Sequence, residues 1–414
     1  MGDRSRGRAA MAVVFLLFSG LYLFFAAPGP LFGDSGEFQT LGAVGGIAHQ
    51  PGYPLYVIVG RGLGMLLPGN PAYRMNCMSC LFGGLAVGML GLVLLELGVP
   101  AIAAVAGAVA YGAGFTVWWF SIRAEVYSLA AFLFLSAFLV ALRALRIGSF
   151  RLYFLAAVLS GFAFVTHLTL GPALIVLWLF LLLPAAAGIS RFARVTAAAA
   201  GLLVGLSPYL YAAWIDSGTH PLNYLAYSID AAAGQFGLTP ETFDEPWERI
   251  GWLLFGSQAK MTFYLFDPRG LMRNLAHLLS IEFVYHYGPL SMPLAAIGIV
   301  VSRRRMERRL PIILAVAVVS SALVILYGAL HLIPVFSLAV AIADAILVSF
   351  GIAWVIDRLR RRGRRRTAIV AAIVLAALVV VPAHALRMTA ERTPAVPVFW
   401  RMPMETGPRM TGPV

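Results

Sequence analysis

Hydrophobic positions in this chain come in long unbroken runs with neither the alternation of a strand nor the one-sided stripe of a soluble helix. The first run covers residues 9–27, about 19 residues and enough to cross a ~30 Å hydrocarbon core. Similar runs follow at 77–97, 101–120, 126–145, 152–187, 195–215, 287–301, 310–329, 335–356 and 367–386. The run over 152–187 is too long for one crossing and is divided near His167-Leu168-Thr169. The pattern predicts an all-α polytopic membrane protein with about eleven spans.

Two stretches break the pattern. Residues 28–76 are rich in glycine and proline, yet 38–44 and 55–67 keep apolar faces, which predicts two short helices lying along the membrane surface. Residues 216–285 hold most of the remaining acids, among them Asp230, Glu241, Asp244, Glu245, Glu248 and Asp267, interleaved with aromatic residues suited to an interface. Residues 1–387 are expected to form one transmembrane domain with these two outer segments. A short outer tail, 388–414, would follow with no separate soluble domain.

Composition sharpens the class. The chain of 414 residues is 60% hydrophobic and 12% charged, where a soluble domain carries about a quarter charged residues. Its net charge of +13 would suggest nucleic acid, but the arginines cluster in short loops between apolar runs, the positive-inside signature. With directions alternating, every cluster, such as Arg303-Arg304-Arg305, lands on one side. This predicts an inner-membrane protein with a cytoplasmic N-terminus. All seven histidines then fall on the outer side or at outer helix ends, and so does the candidate chemistry. Cys77 and Cys80 have C-x-x-C spacing, but they open an apolar helix and imply no disulfide or redox site. No nucleotide-binding loop of the G-x-x-x-x-G-K type is present.

The candidate chemistry lies just after the first run, in Gly33-Asp34-Ser35-Gly36-Glu37-Phe38 and His49-Gln50-Pro51-Gly52-Tyr53-Pro54. On a helix Asp34 and Glu37 share a face. They could cap its N-terminus, or act as a general base toward a hydroxyl, being ionised at neutral pH. Arg61, Arg74 and Arg123 sit on the same side, where the positive-inside rule leaves them unexplained. Guanidinium forks pair with phosphate, or with Glu37, Glu125 or lipid headgroups. His49 and His167 could bind substrate hydroxyls or phosphate, or orient a carboxylate. No ligand pair has spacing diagnostic of a metal, so none is assigned, although a divalent ion stays open. Asp344, in the middle of the run 335–356, reads as a residue paired between helices.

At Asp34-Ser35-Gly36-Glu37-Phe38 and Ala48-His49-Gln50-Pro51-Gly52-Tyr53-Pro54-Leu55-Tyr56 the chain resembles the protein O-mannosyltransferase-like family of GT-C glycosyltransferases. Arg74-Met75-Asn76, Ala124-Glu125-Val126-Tyr127-Ser128-Leu129 and the turn at His167-Leu168-Thr169 are similar to its further landmarks. Gln50 departs from the family pattern, which has a second proline there. The resemblance implies a GT-C-like transmembrane bundle whose first outer loop bears the catalytic acid. It also implies a polyprenyl-phosphate-linked sugar donor and an inverting transfer of a hexose, such as mannose, to a hydroxyl of a protein Ser/Thr, glycan or lipid. Asp34 and Glu37 are then the catalytic carboxylates. His49, Tyr53, Arg61, Arg74, Arg123, Glu125 and His167 form the substrate-binding set. The implied partners are the bilayer, the lipid-linked donor and an acceptor protein or glycan. A rival reading from another class is a transporter or flippase of lipid-linked substrates. It asks for charges lining a midplane path and for internal repeats; only Asp344 meets the first condition. A non-catalytic assembly subunit, in which Asp34 would be replaceable, is a third.

Overall fold

A computed structural model of the protein describes residues 2–182, 188–236, 243–255, 268–280, 290–305, 310–326, 337–364 and most of 366–377. Its first half holds α1 (Gly2–Phe24), α2 (Gly33–Val44), α3 (Pro54–Gly64), α4 (Pro71–Glu96), α5 (Ala101–Ala113), α6 (Phe115–Ser121), α7 (Tyr127–Ile147), α8 (Phe150–Thr166) and α9 (Gly171–Leu182). The second half adds α10 (Arg191–Leu206), α11 (Pro208–Asp216), α12 (Tyr224–Phe236), α13 (Pro246–Phe255), α14 (Pro268–Ser280), α15 (Ser291–Arg305), α16 (Leu310–Leu326) and α17 (Leu338–Arg361). Among the described residues the only strand-type pairing is one parallel bridge, Ile47 to Asn223.

Among the described residues, five helical segments are long and apolar enough to cross a membrane: Ser5–Phe24, Pro71–Glu96, Tyr127–Ile147, Arg191–Asp216 and Leu338–Arg361. The protein is an integral membrane protein. The run expected as one straight span over 101–120 is instead the pair α5 and α6, bent by 64°. The break is at Gly114, whose extended ψ of 139° interrupts the helical hydrogen-bond ladder. The run over 152–187 divides at His167 as expected, into the shorter helices α8 and α9. Shorter apolar helices, Ser291–Arg303 and Pro311–Ala322, also stand at the runs 287–301 and 310–329. The expected outer tail 388–414 lies outside the described residues, as do His286, His331 and His384.

The hub is α4, which packs against α1, α5, α7 and, near its N-terminus, α2 and α3. Close approach to α1 is made by small residues: a Cβ at Gly84 or Gly88 would collide with Ser19 or crowd Phe15. In lipid, where apolar contact with solvent gives no extra drive, such backbone proximity supplies van der Waals contact. Gly161 and Gly205 do the same for α8 against α10, meeting backbone to backbone. The two surface helices expected in 28–76 are present as α2 and α3.

Candidate active site

The site is built where the break in hydrophobic pattern meets the N-terminal end of α4. Gly33 has φ of +65°, a conformation that glycine adopts at little cost, and it turns the chain into α2 so that Asp34 stands in its first turn. Ser35, Phe38, Gln39 and Leu41 form the buried face of α2. The Asp34 side chain is left 59% exposed. After α2 the chain reverses through Gly45 and Gly46, both at positive φ, and brings His49 back over the first turns of the helix.

There Glu37 and His49 form a tight pair. The Glu37 carboxylate accepts from the His49 backbone N–H at 2.7 Å and meets His49 Nδ1 at 2.5 Å. His49 Nε2 faces Asp34, 3.9 Å from Oδ2. Burial alone would lower the His49 imidazole pKa, but the Glu37 hydrogen bond and the charges of Glu37, Asp34 and Glu125 carry it above its ordinary value. The ring packs beside Phe38, Tyr53 and Tyr224. Tyr53 itself is buried, in the left-handed region at φ 46°, immediately before the proline that starts α3.

Beneath this lies Glu125, on the connection from α6 to α7. Ser35 Oγ donates to its Oε1 at 2.7 Å, and its backbone is held by Ser79 through both N–H and C=O, each at 3.2 Å. Burial first, and then the charge of Asp34, push the Glu125 carboxyl up to about 7, while Ser35, Arg123 and His49 pull it back. A carboxyl raised in the folded state binds its proton there more readily than in the unfolded chain. Its stabilising effect is therefore complete below the ordinary carboxyl value of 4.5 and is lost as pH climbs through about 7. Glu125→Gln is expected to flatten this dependence. Thermal unfolding between pH 5 and 8 should show wild type losing up to roughly 3 kcal/mol that the variant keeps.

A second polar knot sits one layer further in. Asn76 is fully buried; its Oδ1 accepts from Ala124 N at 2.8 Å and Gln39 Nε2 at 2.9 Å, and its Nδ2 donates to Ala27 O at 2.7 Å. One side chain thus ties together the exit of α1, the buried face of α2 and the strand of chain that carries Glu125. Sequence reading noted Asn76 as a landmark but gave it no role, and it missed Ser35, Gln39 and Ser79. The available signal was the placing of these polar residues beside or inside apolar runs, where each needs a partner.

The other expected residues are spread. Arg61 donates to Ala43 O at 3.2 Å and Arg74 to Gly64 O at 2.9 Å, so each holds a carbonyl in the last turn of a neighbouring helix, a common use of arginine. Arg123 lies nearer the carboxylates, with its guanidinium 3.5 Å above the Trp119 ring. His167 is buried between α8 and a short 3-10 turn, hydrogen-bonded to Thr169 at 2.7 Å and packed on Tyr127; burial pushes it down to about 4, so it stays neutral. Asp34, Glu37 and His49 place ligand atoms within 4.8 Å of one another, a set that spacing alone did not reveal.

The loop bearing His49 is covered by the chain beyond residue 208. Ile47 pairs through backbone hydrogen bonds with Leu222 and Tyr224. Gln50 donates to Trp252 O at 2.9 Å, Tyr209 to Pro51 O at 3.2 Å, and the Tyr211 hydroxyl accepts from Gly46 N. Asp216 anchors this cover by pairing with Arg249 and accepting from Asn223. A separate apolar cluster of Ile47, Val165, Tyr209, Leu225, Phe243 and Leu253 lies under it.

Comparison with known proteins places these features. Residues 34–188 match the family described as the protein O-mannosyl-transferase TMEM260 N-terminal domain. The protein O-mannosyl-transferase TMEM260 of Mus musculus is 37% identical over 98 residues, 23% of this chain and 14% of that protein. The crystal structure of the Archaeoglobus fulgidus oligosaccharyltransferase, described as a complex with Zn and sulfate, is similar over 92% of this chain and 56% of that one, with a TM-score of 0.51 and 17% identity. The chain therefore shares the helical fold of that structure, and it spans little more than half of it and a small part of the mouse protein.

Proposed function

We propose that this protein is a multi-pass membrane glycosyltransferase that moves a mannose or other hexose from a polyprenyl-phosphate donor to a hydroxyl of an acceptor protein or glycan, on the outer side of the membrane. The observation that carries the reading is the position of Asp34. Its exposed carboxylate heads α2 at the rim of the bundle, with a histidine beside it and a buried acid below it. The family match begins at this very residue.

In the proposed reaction Asp34 accepts the proton of the acceptor hydroxyl as that oxygen bonds to the anomeric carbon. The bond from that carbon to the lipid phosphate breaks on the opposite face, which inverts the centre. Glu37 is a positioning residue: it grips His49 by ring and backbone, so that Nε2 faces Asp34. Arg123, set beside Glu125 and stacked on Trp119, steadies the departing phosphate. An apolar recess between α4, α5, α6, α7 and α17, bordered by Tyr127 and Ser128 just beyond Glu125, marks the side from which the first prenyl units would approach.

The set of two carboxylates and one imidazole suits a divalent ion of the zinc or manganese kind. His49 Nε2 and Asp34 would hold it, with Glu37 fixing the histidine through Nδ1. Such an ion would supply positive charge toward the leaving phosphate.

The test is a transfer assay with purified protein in vesicles, a labelled polyprenyl-phosphate sugar and acceptor peptides. A transferase forms labelled product; a flippase would carry the label across the bilayer and form none. Within the same assay Arg123→Ala should raise the donor KM about tenfold. Arg74→Ala should leave donor KM unchanged and lower only thermal stability, because its guanidinium is committed to the end of α3.

A further inference from the structure

At the end of the bundle away from Asp34 there is a second built pocket that sugar transfer does not use. On the helix α4 (Pro71–Glu96), Glu96 at the C-terminus stands about 30 Å from Asn76, the thickness of a hydrocarbon core. Around Glu96 an open pocket is lined by Arg8 from α1, Arg143 and Arg146 from α7, and Leu92 and Leu95 from α4. Two guanidinium groups thus share one carboxylate, and a third, that of Arg8, lines the same pocket. The Glu96 side chain is only 8% exposed, with Arg146 Nη1 2.7 Å from Oε1 and Arg143 Nε 3.7 Å from Oε2.

We infer that this pocket binds the phosphate of an anionic phospholipid headgroup, with Arg8, Arg143 and Arg146 as its ligands and Glu96 as the post that holds two of them in place. A bare excess of arginine at one end of a bundle follows from insertion alone. Convergence does not: these three come from two helices onto a cavity, around a buried acid that fixes Arg143 and Arg146 while both remain about a third to a half exposed. Each guanidinium has five donors, so Glu96 leaves donors over for a second anion, and the pocket keeps a net charge of +2 from its lining.

A lipid rather than a soluble anion is favoured by the walls. Leu92 and Leu95 form the side of the pocket, and α1, which brings Arg8, carries the exposed apolar residues Val13, Leu16 and Leu17 in its following turns. A headgroup phosphate among the arginines would thus leave its acyl chains along a surface already meant for lipid. Basic pockets between transmembrane helices are the usual form of such sites. This inference does not depend on the transferase reading.

The experiment uses the full chain, purified in neutral detergent and stripped of lipid, and counts retained lipid by native mass spectrometry. Phosphatidylglycerol should be retained about tenfold better than phosphatidylcholine with the same chains. The double variant Arg143→Gln/Arg146→Gln should lose that preference, whereas Arg191→Gln, an exposed arginine at the start of α10, should keep it. If the double variant does not fold, Arg8→Gln, at an exposed position on α1, should reduce the preference by itself. Equal retention of the two lipids by wild type, or equal loss in Arg191→Gln, would overturn the proposal. Displacement of phosphatidylglycerol by millimolar inorganic phosphate would overturn the lipid assignment and mark a soluble-anion site.

Discussion

Asp34→Asn should lower sugar transfer by about three orders of magnitude, within the range that a positioned general base contributes, while the protein remains folded. Asparagine has nearly the shape of aspartate and cannot accept the hydroxyl's proton. The structure explains why folding should survive: the Asp34 side chain is 59% exposed, and its nearest ionic neighbour, His49 Nε2, is 3.9 Å away. No buried partner is left unpaired. Size-exclusion behaviour and thermal unfolding should match wild type. Equal transfer rates for the two proteins would remove Asp34 as the base. Glu37→Gln offers the contrast, since it touches His49 rather than the acceptor. It should reduce transfer less and should move the acidic limb of the pH–rate profile toward lower pH, because the carboxylate that raises the His49 pKa is gone.

The largest structural effect is expected from Asn76→Ala. The change is small in volume, but it strips three partners at once: Ala124 N, Gln39 Nε2 and Ala27 O. Each buried group left without a hydrogen bond costs about 1–3 kcal/mol, with incomplete additivity because they share one side chain. A total loss on the order of 3 kcal/mol is expected in thermal unfolding. Transfer should fall as well, because Glu125 and α2 lose their common tie. Asn76→Asp separates the two effects: it keeps the acceptor oxygen for Ala124 and Gln39, loses the donation to Ala27, and adds a charge within reach of Glu125. A folded Asn76→Ala protein of unchanged stability would show that the knot is dispensable.

The sequence already carried the essentials of the fold, since runs of about 20 apolar residues in lipid leave helices as the form able to satisfy the backbone. It also singled out the candidate site, because acids flanked by glycine at the end of a span need a reason to be there. What escaped it was geometry between distant positions. Nothing in the spacing of Glu37 and His49 announces a hydrogen bond; the pair depends on the reversal at Gly45 and Gly46. Arg61 and Arg74 looked suited to phosphate by composition and side, yet both reach helix-end carbonyls, a competing use that sequence cannot rank. The bend at Gly114 was hidden inside a continuous apolar run, since hydropathy is indifferent to helix axis. Asn76 was visible but unranked: its worth comes from joining three chain segments that only the folded bundle brings together.

The lining of the site's roof has a consequence for dissection of the protein. Residues 34–188 carry the family match, and a shortened protein ending there would keep Asp34, Glu37, His49 and Glu125. It would nevertheless lack Tyr209, Tyr211, Leu222 and Trp252, which fasten the His49 hairpin from above. Without that clasp, the loop bearing His49 would be held to α2 by the Glu37 hydrogen bonds. The loop that carries His49 is therefore fastened by a residue 158 positions downstream of Pro51, past the end of the family match.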